Sequence, residues 1–94
     1  MRNLTDLAEA VSDEGTFIEF VKGLREDRLA EDRARSVDGT GRGNRGWENH
    51  TIEAFLEAAM AWVEDSHFGQ KQGLADASPW RKAAAFLLSG KMYE

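Results

Sequence analysis

The sequence predicts an all-α fold, a small bundle of three main helices preceded by a short amino-terminal one. Two positive observations carry this, and one negative. Apolar residues recur at helical spacing in four windows. Capping residues stand at the start of these windows. No stretch shows sustained period-two alternation of β-branched residues, the pattern of a half-buried strand.

The elements follow in chain order. Asn3 can cap a first helix in which Leu4, Leu7, Ala8 and Val11 form a one-sided stripe. Thr16-Phe-Ile-Glu19 has the spacing of a capping box, which starts the second helix near Phe17. Phe17, Phe20, Val21 and Leu24 share its apolar face. The continuation from Arg25 to Arg35 alternates acids and bases and reads as a solvated helix end held by local pairs such as Glu31 with Arg35. A glycine- and arginine-rich run at about 36–46 reads as a flexible loop. The third helix is the clearest, with Ile52, Phe55, Leu56, Ala59, Trp62 and Val63 in one arc and Asn49 or Thr51 as its cap. After a looser stretch, Ser78-Pro79 supplies a cap and a first-turn proline. The fourth helix then carries Trp80, Ala83, Ala84 and Leu87 on one face, with Phe86 and Leu88 beside them and Gly90 as a stop or kink. There is no internal repeat. The expected core is Phe17, Phe20, Val21, Leu24, Phe55, Leu56, Ala59, Trp62, Val63, Trp80, Ala84 and Leu87.

Length and composition bound the function. The 94 residues make one domain, 1–94. Hydrophobic residues at 41% are too many for a disordered chain. Cysteine is absent, which removes disulfides and thiol chemistry and suits a reducing compartment. The start of the chain lacks the apolar stretch of a secretory signal and no segment has the length of a membrane span, so the expected location is a bacterial-type cytoplasm, with no membrane partner. A net charge of -5 repels nucleic acid, and Arg25, Arg28, Arg33 and Arg35 are interleaved with Glu26, Asp27, Glu31 and Asp32.

Several motifs invite chemistry. Gly41, Gly43 and Gly46 have the spacing of a dinucleotide fingerprint, but the segment before them is a charged helix and not the buried strand that delivers such a turn to a pyrophosphate. The bland alternative, a mobile connection between helices, is the stronger reading, and indifference to nucleotides is expected. A calcium loop starting at Asp38 fails, since Arg42 and Asn49 occupy ligand positions. Glu64-x-x-His67 places a carboxylate and an imidazole side by side, yet a di-metal bundle needs two such pairs and further acids. His50, Glu53, Glu57 and Glu64 share the face opposite the apolar stripe, the ordinary pattern of a solvated face. Neither a metal, a cofactor nor a catalytic nucleophile is therefore assigned. Trp62 reads as core, and Trp80 as core with an exposed edge. Trp47, next to Glu48 and Asn49, either staples the chain onto the third helix or is a rim aromatic of a binding surface.

The segments G-W-E-N-H-T (46–51), F-L-E-A-A-M-A-W-V-E-D (55–65), W-R (80–81) and L-L-S-G-K-M-Y-E (87–94) together resemble a domain of unknown function found in short bacterial proteins. The shared features are a W-E-N-x-T lead-in to a helix, a Trp-x-x-Asp and a terminal Tyr-Glu. The resemblance implies a small cytosolic α-helical unit and transfers no catalytic residue. The GTGRGNRG stretch is where the chain is least like that group.

By elimination, and from its small size and acidity, the chain reads as a protein-interaction module, in its narrowest form a neutralising partner of the immunity-protein or antitoxin kind. The partner is a protein, and a homodimer is one form of that. Arg42, Arg45, Trp47, Glu48 and Asn49 are the expected contact residues. A helical protein that binds a metal or small molecule, or an enzyme, is the runner-up. A helix-dominated far-ultraviolet circular dichroism spectrum and cooperative unfolding are expected, with Trp62→Ala lowering stability by ~3 to 5 kcal/mol as a large core truncation. A β-rich spectrum, or a variant that melts with the parent, contradicts the assignment.

Overall fold

A computed structural model describes residues 3–38 and 46–93, with side chains described for 3–33 and 46–93. The second helix continues through Asp38, so the expected loop does not begin at 36; Gly41, Arg42, Gly43 and Arg45 lie outside the described residues, as does the rest of that loop up to Gly46. Among the described residues there is no strand. The elements are α1 (Leu4–Glu9), α2 (Glu14–Asp38), α3 (Ile52–Ser66), a 3-10 turn (Gln70–Gln72) and α4 (Pro79–Met92). This is the predicted all-α bundle of three main helices and a short first one.

Caps explain most of the boundaries. The Asn3 side chain accepts from the Asp6 amide at 2.8 Å, Thr51 accepts from Ala54 at 3.1 Å, and Ser78 accepts from Arg81 at 3.1 Å. The start of α2 lies earlier than the Thr16-x-x-Glu19 spacing predicts. Asp13 takes the cap position, accepting the Thr16 amide at 2.8 Å, while the Thr16 hydroxyl oxygen accepts the Ser12 and Asp13 amides at 2.9 and 3.1 Å. The Thr16 amide and hydroxyl hold the Asp13 carboxyl below its ordinary value.

At the far end of α3, His67 and Phe68 both adopt left-handed backbone, followed by Gly69 at φ +83°. The Phe68 amide closes onto Val63 O at 2.8 Å, with His67 in the left-handed position that glycine usually takes at a helix stop. A Cβ at Gly69 would stand 2.6 Å from the Leu74 side chain, so the turn excludes larger residues by space as well as by conformation.

Helix α4 is the centre of the bundle and packs against each of the other three helices, whereas the backbones of α2 and α3 do not pack directly among the described residues. The core consists of Ala8, Val11, Phe20, Leu24, Trp47 and Ala84, with Phe17, Val21, Phe55 and Leu87 packed against it. Ala59 and Trp62 are buried as expected. Two members of the expected core depart from it. Trp80 lies at the surface with its ring against Phe17, centroids 5.5 Å apart, and Leu56 is 48% exposed.

Gly90 is neither a stop nor a kink. It is buried within α4, where a Cβ would lie 2.7 Å from the Phe55 ring, so the missing side chain lets α4 close onto α3. Gly90→Ala should therefore lower stability by about 1 to 3 kcal/mol as overpacking, although alanine is the better helix former by about 1 kcal/mol. Thermal melts check this, and pairing it with Phe55→Leu should recover part of the loss.

Candidate functional site

A cluster of polar side chains lies where the segment 46–50 meets α2, α3 and α4. Trp47 is buried, and its indole N–H donates to Asp27 Oδ2 at 2.8 Å. Lys91, the penultimate residue of α4, places its ammonium 2.8 Å from the same oxygen. The Arg28 guanidinium lies over the Trp47 ring at 5.0 Å and the Lys91 ammonium at 5.7 Å, so the indole face meets two cations. Trp47 also stacks on Phe55, with ring centroids 6.2 Å apart. Phe55 is the fourth residue of α3. The contact does the work of a hydrophobic staple, from a position further before the cap than the usual one.

The next residues bind the end of α4. The Glu48 amide donates to Lys91 O at 3.0 Å, and the Asn49 amide group donates to Gly90 O and Tyr93 O, each at 3.0 Å. These are terminal carbonyls that the helix itself leaves without partners. Asn49 thus closes α4 while Thr51 caps α3. Tyr93 then donates its hydroxyl to Asp65, and this carboxylate partner raises the phenol above its ordinary value. His50 Nδ1 lies 3.3 Å from Arg28 and 3.8 Å from Glu31, and Arg28 also donates to His50 O at 3.1 Å. The longer separation exceeds hydrogen-bond reach, so Arg28 is the hydrogen-bonding partner of that nitrogen. Glu31 is 1% exposed and Asp27 is buried with it. The second half of α2, which its sequence marks as a solvated end, turns two carboxylates inward.

Among the described residues every buried side-chain nitrogen and oxygen has a partner. The cluster is closed, with no donor or acceptor left aimed at an absent ligand. A groove of about 310 Å³ opens beside it, lined by Arg28, Trp47, Asn49, His50, Thr51, Ile52 and Phe55.

The expected contact residues separate here. Trp47 and Asn49 sit inside the cluster, Glu48 points outward, and Arg42 and Arg45 lie outside the described residues. Glu64 and His67 are both exposed, and His67 has already left the helix in left-handed conformation. Among the described residues no three acidic or imidazole groups converge as metal ligands. No described helix is long and apolar enough to cross a membrane.

Sequence reasoning missed Asp27, Glu31 and Lys91. A signal did exist: Asp27 and Glu31 stand at i, i+4, one turn beyond Phe20 and Leu24 on the same side of α2.

Fold and site together define a small helical unit whose polar cluster joins its helices. The chain belongs to a family of unknown function, DUF7660, whose model matches residues 13–94. Only α1 lies before that region. The comparison with curated proteins finds no match, and neither does the comparison with solved structures.

If the cluster holds the fold, Lys91→Met should lower stability by about 3 to 5 kcal/mol, because it leaves a buried carboxylate without its cation. Adding Asp27→Leu to that variant should cost less than the sum of the single changes. Urea unfolding of the two single variants and the double variant measures the coupling, and strictly additive losses would count against it.

Proposed function

We propose that this protein is a protein-interaction module and that its contact surface is the outer face of α3. One observation carries the reading. Ile52, Leu56 and Met60 stand at i, i+4 and i+8 and are 78%, 48% and 58% exposed, forming an apolar ridge along the helix beside the arc that is in the core. Scattered exposed apolar residues are normal, and Ile18, Leu29, Phe68, Trp80 and Met92 fit that description. A row of three along one helix is a patch.

The apolar arc of α3 is wider than the bundle covers. Ala58, Ala59 and Trp62 fill the inner part, and the surplus faces outward. Exposed Glu48 lies at the head of the ridge, beside the groove floored by Trp47 and Phe55. This extends the contact surface of Arg42, Arg45, Trp47, Glu48 and Asn49 along the helix, with Trp47 and Asn49 supporting it from beneath. Small size and net negative charge favour the narrower form, a neutralising partner of the immunity or antitoxin kind.

The test is Leu56→Glu. As a surface change it should alter stability by no more than about 0.5 kcal/mol. It should remove cross-linking to the partner in extracts of the source cell, with melts and cross-linking measured on the same preparation. Unchanged cross-linking by a fully folded variant would retire this face.

A further inference from the structure

Resting on the interaction surface proposed above, we infer that its occupant is a basic amphipathic helix of another protein, docked along the Ile52–Leu56–Met60 ridge with lysines or arginines facing Glu53, Glu57 and Glu64.

The charge arrangement identifies the partner. Glu53, Glu57 and Glu64 stand at i, i+4 and i+11, which at 3.6 residues per turn brings them into one row beside the apolar ridge. All three are exposed, and no ion pair among the described residues involves them. Acids at i, i+4 repel each other, so the row destabilises the isolated helix slightly, and a row of bases on a partner relieves it. The other edge of the ridge runs into the core at Phe55 and Ala59 and has no matching charge until Arg28 and His50 at its head. The surface is apolar along its length and acidic on one side.

Shape narrows the choice further. Strand addition needs a sheet edge, and there is no strand among the described residues. A ridge at i, i+4, i+8 is the form that seats in the groove of a second helix. A second copy of this chain is the weaker occupant. Antiparallel two-fold pairing of the ridge with itself sets both glutamate rows on the same side of the interface, where like charges oppose each other.

The experiment titrates the full chain with a helical Leu/Lys peptide bearing leucines along one face, followed by amide chemical-shift mapping. One control peptide keeps the leucine face and replaces every lysine by glutamate, and another keeps the composition with the leucines scattered. The Leu/Lys peptide should bind with shifts centred on 52–64. Its affinity should exceed those of both controls by at least about tenfold, a difference of 1.4 kcal/mol, and should fall as salt is raised. Leu56→Glu should abolish the preference, with Ile52→Ser as a second variant should that protein fail to fold. Glu53→Lys/Glu57→Lys should reverse it toward the glutamate peptide. If both amphipathic peptides bind equally and Leu56→Glu releases both, the surface survives and the basic partner is overturned. If Leu56→Glu releases neither, or binding follows charge without the leucine face, both readings fall. A dimer in sedimentation that Leu56→Glu dissociates overturns the basic helix in favour of a second copy.

Discussion

The Asp27 carboxylate is the constraint on which the rest of the bundle depends. It lies on α2, receives the indole N–H of the segment leading into α3, and faces the ammonium of Lys91 on α4. Since α2 and α3 do not pack backbone to backbone among the described residues, their relative placement rests on α4, against which both pack, and on Trp47 and its neighbours, which contact all three. A buried carboxylate cannot be left without partners at tolerable cost, so the charge fixes the positions of the groups around it. Apolar packing alone would hold Trp47 in the core without orienting its ring. The hydrogen bond to Asp27 and the cations on its face select one orientation.

The same logic explains why the Trp-Glu-Asn-His-Thr run looks so much like a binding loop. Its members are polar, aromatic and close to a helix start, as contact residues often are. Here the tertiary structure engages them internally: the tryptophan bonds to α2, the asparagine closes the exposed carbonyls of α4, and the threonine caps α3. Tyr93 and Asp65 add a further tie between the ends of α4 and α3. The Trp-Glu-Asn-x-Thr run and Tyr93 are therefore accounted for by architecture.

Helix number, order and most caps were legible because they depend on local chemistry. Asn3, Thr51 and Ser78 cap where hydroxyl and amide side chains precede apolar periodicity, and nothing distant competes with them. The start of α2 was misplaced because Asp13 and Thr16 form a reciprocal cap upstream of the Thr16-x-x-Glu19 spacing, and both patterns satisfy the same local rule. The burial of Asp27 and Glu31 was not legible from charge alternation. A helix of mixed acids and bases looks solvated until another element supplies an indole, an imidazole and an ammonium to the acids, and those groups lie about twenty to sixty residues away. Gly90 misled for a similar reason: near a helix end glycine signals a stop, and only the approach of Phe55 reveals that it is needed for space.

The outer face of α3 shows the limit of periodicity most clearly. An apolar side chain adds the same signal to a helical stripe whether it meets the core or the solvent, so Ile52 and Leu56 could not be told from Ala59 and Trp62 by spacing. What separates them is the number of neighbours available, and among the described residues α3 has one long helix, α4, to cover it, with the segment 46–50 and the 3-10 turn at its ends. A helix with one covering neighbour and an apolar arc broad enough for two has surface left over. In a chain of 94 residues, where every buried methyl group matters to a modest core, placing isoleucine, leucine and methionine outside it forgoes stability that they could have supplied. That sacrifice is understandable when the exposed side chains do something other than hold the fold, and it is the physical ground for seeking the function on this face and not in the closed cluster behind it.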